Sequence, residues 1–306
     1  MPLDGFDRLA QLADAQAQAA SVSVAGGDDP TVLEALRAAT DRGWVRPILV
    51  GPAPRIESLA AALALSLDGF TIHHAQGDAV ADAAVAAVRA GRARMLMKGQ
   101  ISTPALMAAV LSPTTGLRSD QKRVVCQVVL MEIPRDDRRF LLADTGICIH
   151  PDRRKRLEIL RQAVDVAHAL GASRPKVALL AATETVKVEM PETLEAAELS
   201  RRNRAGEFDD CVIEGPLSFD LAYAVEAGAR KRVEGSVVGA AEILLFPNLL
   251  SANLTVKAIM YTAECRFGGI LSGTSAPVVF MSRADTAATR LHSLALALRI
   301  LDHGQT

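Results

Sequence analysis

Residues 79–111 read AVADAAVAAVRAGRARMLMKGQISTPALMAAVL. The first part, Ala79–Ala90, places Ala and Val at helical spacing, and Ala93–Met97 is a short apolar run typical of a buried strand. A second helix is indicated next, because the hydroxyls of Ser102 and Thr103 directly precede a proline, and this order favours a helix start. The stretch therefore predicts the helix–strand–helix pattern of an α/β protein.

The same alternation continues on the N-terminal side of this stretch. The candidate strands there are Ala19–Ala25, Val45–Val50 and Phe70–His74, and the candidate helices are Pro30–Thr40 and Ile56–Leu65. Short connections between alternating strands and helices favour a mostly parallel sheet that helices cover on both faces.

The composition changes at residues 112–122 (SPTTGLRSDQK), where polar and turn-forming residues predict a domain junction. Two candidate strands follow, Val124–Glu132 and Phe140–Ala143, and the short charged turn between them favours antiparallel pairing. A second domain with a mixed sheet is expected. The remaining candidates are strands at Lys176–Ala181, Cys211–Ile213, Ile243–Phe246 and Val278–Met281, and helices at Asp152–Leu170, Pro191–Arg204, Ala222–Lys231, Thr255–Ala263 and Thr286–Leu301.

The composition excludes several classes of function. The chain has 306 residues, 50% of them hydrophobic and 4% aromatic, with a formal net charge of −1. This length suits about two domains. The near-zero charge argues against general nucleic-acid affinity, and the scarcity of aromatic rings argues against stacking on single strands.

The same sequence predicts a cytoplasmic protein. The N-terminus lacks a basic start followed by an apolar run, and no apolar run approaches the roughly 18 residues that a membrane helix needs. The cysteines Cys126, Cys148, Cys211 and Cys265 are scattered without a C-x-x-C pair, so buried, reduced thiols are expected.

Common catalytic motifs are missing from the sequence. It contains no G-x-x-x-x-G-K-[ST] loop, no G-x-G-x-x-G after the first strand and no G-x-S-x-G elbow. It also contains no H-E-x-x-H motif or Cys/His cluster, so no metal site is predicted. The candidate chemistry therefore rests on small polar turns at strand ends.

The first such turn is KGQIST, residues 98–103. Here a strand delivers Lys98 to a helix start that carries Ser102 and Thr103. The N–H groups of a helix start attract phosphate or a developing oxyanion. An ordinary capped helix is the alternative.

The second candidate region surrounds the strand near residue 280. Thr274 and Ser275 precede this strand, and Ser282, Arg283 and Asp285 follow it. Arginine offers a bidentate fork for phosphate, and open α/β sheets bind ligands at the carboxyl ends of their strands. Three roles remain open for Asp285, namely a base, a partner of the arginine or the cap of the last helix.

The second domain adds weaker candidates. Thr145 and Ser218 each stand in a turn directly after a strand. Asn253 and Lys257 are four residues apart and share one helix face. Turns with helix caps, and a solvated lysine, are the alternative readings of these residues.

Together these segments resemble the phosphate acyltransferase family of phosphotransacetylases and phosphotransbutyrylases. The resemblance covers about Met95 to Leu301, and its closing block is most similar to the phosphate butyryltransferase branch. It is carried by MKG before a hydroxyl-capped helix, then LLADTGICI, KVALLAATETV, VIEGPLSFDLA, VVGAAEILLFPNLLSANLTVK and VVFMSRADTAATRLHSLALAL, in that order.

The resemblance implies an α/β, two-domain isocitrate/isopropylmalate-dehydrogenase-like fold with an interdomain active-site cleft. Residues 1–117 with 273–306 would form the first domain, and residues 118–272 would form the second, inserted domain. Members interconvert short-chain acyl-CoA plus phosphate and acyl phosphate plus CoA by direct attack in a ternary complex. They use no metal or nicotinamide, coenzyme A being a substrate or product, and they assemble as homodimers or higher homo-oligomers.

The resemblance also assigns roles to residues of this chain. Ser282 and Arg283 match the family's Ser-Arg at the phosphate and CoA-thiol end, and Asp285 is the nearest carboxylate for a base. Lys257 matches a lysine of the cleft. Substrate binding is assigned to the set Lys98, Ser102, Thr103, Thr145, Ser218, Lys257, Thr274 and Ser275.

Several positions depart from the acetyl branch. Thr289 stands where that branch has an Asp, Met107 and Tyr261 replace two arginines, and Glu214 and Asn248 stand where Asp is usual. These changes fit a longer acyl chain. They also leave open an acyl-CoA- or phosphate-binding protein of reduced activity on the same fold. A pyridine-nucleotide oxidoreductase of the related fold is the third hypothesis.

Overall fold

The computed structural model describes residues 2–119 and 123–304. The contacts within the chain divide it into two compact units. The first unit comprises Phe6–Arg123 and Phe267–Thr306, and the second comprises Met1–Gly5 and Val124–Arg266. The unit boundaries therefore fall at 123/124 and 266/267, whereas the expected domain boundaries were 117/118 and 272/273. That each unit is an independent domain stays a prediction, and part of the predicted junction, residues 120–122, lies outside the described residues.

The N-terminal part of the first unit alternates helices and strands. Its elements are α1 (Phe6–Asp14), β1 (Ala20–Ala25), α2 (Pro30–Asp41), β2 (Val45–Gly51), α3 (Ala53–Ala62), β3 (Thr71–His74), α4 (Ala79–Arg89), β4 (Met95–Lys98) and α5 (Thr103–Leu111).

The second unit begins with a hairpin and continues with parallel strands. Its elements are β5 (Cys126–Ile133), a 3-10 turn at Pro134–Asp136, β6 (Arg138–Ala143), α6 (Arg153–Ala169), β7 (Lys176–Leu180), α7 (Pro191–Arg204), β8 (Val212–Leu217), α8 (Phe219–Tyr223), α9 (Val225–Lys231), β9 (Ile243–Leu245) and α10 (Leu249–Thr262). The chain then returns to the first unit through β10 (Arg266–Ser272), β11 (Val278–Val279) and α11 (Ala287–His303).

The strand order of the first unit is β3-β2-β1-β4-β11-β10. Its strands are parallel except for β10, which runs antiparallel to β11. In the second unit the order is β5-β6-β9-β7-β8, with only β5 antiparallel to its neighbour. Consequently β1, β4 and β11 end at one edge of the first unit's sheet, and β6, β9, β7 and β8 end at one edge of the second unit's sheet.

Buried strands and capped helices explain how the sequence specifies the first unit. All four residues of β4 are buried, as is typical of a strand that helices cover on both faces. Helix α2 begins at Pro30 because the Asp29 carboxylate accepts a hydrogen bond from the Val32 amide at 3.1 Å. Its buried face carries Leu33 and Leu36. The predicted mixture of helices and mostly parallel strands is confirmed.

Some predicted elements differ in their bounds. The helix expected at Ala222–Lys231 is two short helices, α8 and α9, separated by Ala224, whose backbone is extended. The helix expected at Thr255–Ala263 begins at Leu249, because Asn248 caps it by accepting the Ser251 amide at 3.0 Å. Helix α1 and strand β10 were not predicted.

Candidate functional site

The ends of β1 and β4 approach each other so closely that glycine is required at both. Gly26 has φ +82°, and a Cβ atom on Gly99 would lie 2.0 Å from the carbonyl oxygen of Gly26. The amide of Gln100 donates to that same oxygen at 2.8 Å. The Lys98–Gly99 turn is therefore held against the end of β1 by its backbone.

Lys98 is a buried cation at this edge, with 2% of its surface exposed. Its Nζ donates one long hydrogen bond, 3.5 Å to the Gly99 carbonyl oxygen. Burial lowers the pKa of Lys98 to about 8, and the positive charges of Arg290 and Arg283 add to this effect. At pH 7 the side chain is still mostly an ammonium.

Helix α5 begins at the same edge, directly after the Lys98 turn. The Ser102 hydroxyl caps it by accepting a hydrogen bond from the Ala105 amide at 3.3 Å, and Ser102 and Thr103 are both exposed. The first-turn N–H groups of a helix this long carry a partial positive charge that favours an anion. The structure thus brings the predicted Lys98, Ser102 and Thr103 to one edge of the sheet.

The turn after β11 reaches the same edge. The Asp285 carboxylate is buried and accepts the Ser282 amide at 2.7 Å, while the Ser282 hydroxyl accepts the Ala284 amide at 3.3 Å. Arg283, at the tip of this turn, is exposed. The Asp285 carboxylate therefore shapes the turn that presents Arg283.

The N-cap of α11 is Thr286, so the prediction that Asp285 caps the last helix is wrong. The Thr286 hydroxyl accepts the Thr289 amide at 3.2 Å, and the two threonine hydroxyls share a hydrogen bond of 3.1 Å. Thr289, at the position of the acetyl-branch Asp, is buried and belongs to this cap.

Thr274 and Ser275 lie at the opposite edge of the sheet. They occupy the turn before β11, where the Ser275 amide donates to the Leu117 carbonyl at 2.8 Å and the Thr274 hydroxyl donates to the Ala276 carbonyl at 2.8 Å. Because β11 runs parallel to β4, this turn is at the start of both strands, whereas Lys98 is at the end. The structure does not bring these two residues together with the Lys98 group.

Arg290 is a residue of this edge that the sequence reasoning missed. Its guanidinium donates to the Thr31 hydroxyl at 2.9 Å and to the carbonyl oxygens of Lys98 and Ser282, each at 3.4 Å. The sequence did contain a signal for it. Arg290 stands four positions before Leu294 and seven before Ala297, which places a charged residue on the buried face of α11.

In the second unit, Thr145 lies in a loop that a buried carboxylate organises. The Asp144 carboxylate accepts four amide hydrogen bonds, from Gln127, Gly146, Ile147 and Cys148, at 2.7–3.2 Å. Burial raises the pKa of Asp144, and these four bonds oppose that rise. Thr145 is 2% exposed, and its Oγ1 makes no hydrogen bond with the residues that the structure describes.

Ser218 and Lys257 belong to two other parts of the second unit. The Ser218 hydroxyl accepts a hydrogen bond from Lys231 at 3.1 Å, and Lys231 also pairs with Asp220 at 2.9 Å. Lys257 is exposed on α10, one turn after Asn253, whose side-chain amide donates to the Thr145 carbonyl at 3.1 Å. The Thr145 loop and the Lys257 face of α10 are therefore in contact.

The other positions that depart from the acetyl branch have structural surroundings of their own. Glu214 accepts hydrogen bonds from the Ser236 amide, the Ser236 hydroxyl and the Val237 amide at 2.9–3.1 Å. Tyr261 is exposed, and Met107 is half-buried on α5. All four cysteines are free thiols, two of them buried and two half-buried.

Residues 2–119 and 123–304 show neither a metal-binding cluster of side chains nor a membrane-spanning helix. Over those ranges, no group of three or more His, Cys, Asp or Glu side chains is placed to hold a metal ion. In the same ranges, no helix has the length and hydropathy to cross a membrane.

A family model, a curated relative and a solved structure identify the family of this chain. The family model described as phosphate acetyl/butaryl transferase matches residues 78–298. Phosphate butyryltransferase of Clostridium acetobutylicum is 39% identical over 277 residues, which are 90% of this chain and 91% of that protein. A branched-chain phosphotransacylase from Enterococcus faecalis V583 matches with a TM-score of 0.80 and 31% identity, over 92% of this chain and 99% of that one.

A more distant solved structure shows the fold alone. The 4-hydroxythreonine-4-phosphate dehydrogenase from Klebsiella pneumoniae matches with a TM-score of 0.53 and 11% identity, over 93% of this chain and 100% of that chain. The predicted dehydrogenase-like α/β fold class is thereby confirmed.

Proposed function

Since the chain belongs to the phosphate acetyl/butyryl transferase family, we propose that it interconverts short-chain acyl-CoA plus phosphate and acyl phosphate plus CoA. A phosphate oxygen attacks the thioester carbonyl directly, the carbon–sulfur bond breaks, and CoA leaves as a thiolate. Coenzyme A is then a substrate or product and not a resident cofactor. The predicted homo-oligomer and cytoplasmic location stay predictions.

The observation that carries the proposal beyond family membership is the charge at the strand ends of the first unit. Among the described residues, the positive charges of Arg283 and Arg290 and the negative charges of Asp29 and Asp285 act on the Lys98 ammonium there. An excess of positive charge beside the start of α5 suits an anion such as phosphate. We therefore assign the phosphate to Lys98, Arg283 and the Ser102–Thr103 helix start.

The reaction asks this site for two physical effects. Holding phosphate and thioester together converts a bimolecular step into one within a complex, and fixed positive groups stabilise the tetrahedral oxyanion. The CoA thiol has an ordinary pKa near 8.5, so its thiolate is a usable leaving group without a strong acid. The replacement of the acetyl-branch Asp by Thr289 therefore does not by itself abolish this reaction. Thr145, Ser218 and Lys257 stay predicted substrate-binding residues.

The test is initial-rate kinetics with acetyl-, propionyl- and butyryl-CoA while phosphate is varied. We expect CoA release that requires phosphate, and double-reciprocal lines that intersect, as a ternary complex demands. Parallel lines would contradict direct attack, because they indicate a covalent acyl-enzyme. If phosphate or acyl-CoA raised the melting temperature without any turnover, the chain would be a binding protein and not an enzyme.

A further inference from the structure

Arg290 places a whole guanidinium inside the first unit. It is 0% exposed, and its Nε donates to the Thr31 hydroxyl at 2.9 Å. The Thr31 hydroxyl in turn donates to the Asp29 carboxylate at 2.6 Å. The two terminal nitrogens of Arg290 donate to the carbonyl oxygens of Lys98 and Ser282, each at 3.4 Å.

The residues that carry these three acceptors lie at or after the ends of three neighbouring strands. Thr31 is in the first turn of α2, just after β1; Lys98 is the last residue of β4; and Ser282 follows β11. Strand β4 pairs with β1 on one side and with β11 on the other. A single side chain of α11 therefore links the ends of three adjacent strands at the edge where the predicted phosphate-binding residues meet.

Stability alone does not favour this arginine. Among the residues that the structure describes, no carboxylate lies within 4.0 Å of its guanidinium, and its three acceptors are neutral oxygens. Burial lowers the pKa of Arg290, and the charges of Asp29 and Asp285 only partly oppose that effect. A buried cation without a paired carboxylate is costly compared with an apolar side chain of similar volume.

We propose that Arg290 is the positioning residue of the phosphate site, fixing the Lys98 turn and the Ser282–Arg283 turn at the separation that one phosphate needs. The inference rests on the proposed function. The planar fork of arginine suits this task, because its donors point to separate acceptors at fixed angles, whereas a lysine offers one compact charge. Arg290 itself need not touch the substrate.

The arrangement has an electrostatic consequence for Lys98. The charged groups that face Lys98 are Arg290 and Arg283, which lower its pKa together with burial, and Asp285 and Asp29, which raise it. Removing the charge of Arg290 therefore raises the pKa of Lys98 above about 8. A residue that merely filled space would leave this pKa unchanged.

The test compares Arg290→Met and Arg290→Lys with Arg299→Met, a matched change at a half-buried arginine further along α11. The pKa of Lys98 is followed by NMR of protein labelled at the lysine Cε carbons, with the signal assigned by its loss in Lys98→Met. Phosphate-dependent CoA release from butyryl-CoA gives kcat and both KM values, and melting temperatures report folding.

We expect Arg290→Met to raise the Lys98 pKa and to lower kcat/KM for phosphate at least tenfold, with the KM for acyl-CoA little changed. Arg290→Lys retains the charge, so the Lys98 pKa stays near its original value, while kcat/KM for phosphate falls by about threefold or more. Arg299→Met changes neither quantity.

Three results would overturn the inference: an unchanged Lys98 pKa in Arg290→Met, equal losses toward phosphate and acyl-CoA, or wild-type kcat/KM in Arg290→Lys. The lysine variant decides the question if Arg290→Met does not fold. If the unsubstituted protein showed no phosphate-dependent turnover, the proposed function would be refuted instead. The Lys98 titration would still report whether Arg290 acts on that lysine.

Discussion

At the scale of single residues, Lys98 carries a positive charge in a buried position, where the loss of solvation disfavours the charged form. Its Nζ has one hydrogen bond, at 3.5 Å, and no described carboxylate lies within 4.0 Å of it. Such a residue lowers stability at neutral pH, so its presence favours a role in binding. Active sites commonly trade stability for function in this way.

We therefore predict that Lys98→Met has a melting temperature at pH 7 equal to or above that of the original protein, while phosphate-dependent CoA release falls at least tenfold. Methionine keeps the length of the side chain and removes the buried charge. Lys187→Met, which changes an exposed lysine, should alter neither property. A clear loss of thermal stability in Lys98→Met would show that the ammonium has a structural partner.

The same variant gives a pH dependence with a defined sign. The pKa of Lys98 is lowered to about 8 in the folded chain and lies near 10.4 in an unfolded one. Below pH 8 both states hold the proton, and the full burial cost applies. As the pH rises from about 8 towards 10.4, the folded state releases its proton first and the cost is relieved. In urea denaturation, the free energy of unfolding of Lys98→Met should exceed that of the original protein by an amount that shrinks over that pH range. A difference that stays constant or grows would contradict this prediction.

Arg283 offers the complementary case of an exposed residue. We predict that Arg283→Ala lowers kcat/KM at least tenfold, about 1.4 kcal/mol of transition-state stabilisation, with little change in melting temperature. The side chain is at the tip of the turn and packs against little, so folding does not depend on it. Kinetics with phosphate varied at fixed acyl-CoA would check this, and an unchanged rate would remove Arg283 from the site.

At the scale of elements, the N-cap of α11 distinguishes the role of Thr286 from that of its neighbour Asp285. Thr286 satisfies the Thr289 amide, so Thr286→Ala should lower the free energy of unfolding by about 1 kcal/mol. Thr185→Ala, at an exposed threonine outside a helix, is the matched control. If Thr286→Ala left the free energy of unfolding unchanged, while Asp285→Ala lowered it by destabilising α11, Asp285 would be the cap instead.

The loop after β6 depends on one carboxylate. Asp144 accepts four amide hydrogen bonds, and an asparagine there would turn donors of its own towards some of those amides. We predict that Asp144→Asn lowers the free energy of unfolding by at least about 2 kcal/mol in urea denaturation. A loss below about 0.5 kcal/mol would show that the loop does not rely on the charge.

The elements that sequence could predict are those with a local signal. Helix α7 has the predicted bounds, since Pro191 marks its start and its buried residues Thr193, Ala196, Leu199 and Ser200 recur at helical spacing. Strand β10 was missed because two glycines interrupt it. The structure shows why one is needed: a Cβ on Gly268 would lie 2.9 Å from the Ser293 amide of α11. That requirement comes from a helix far along the chain, so no local pattern reveals it.

At the scale of the whole molecule, the predicted site is divided by sheet topology. Local motifs identified Lys98, Ser102 and Arg283, which β4 and β11 deliver to one edge. The same reasoning included Thr274 and Ser275, because the sequence does not say at which edge a turn lies. The contact between Arg290 and Thr31 joins residues 259 positions apart, so only the fold reveals it.

We propose that this chain transfers an acyl group from CoA to phosphate. The most direct measurement is 31P NMR of the purified protein with butyryl-CoA and inorganic phosphate. We predict an acyl phosphate signal that grows in step with the release of free CoA. Release of CoA with no acyl phosphate, or no reaction of acetyl-, propionyl- or butyryl-CoA, would contradict it.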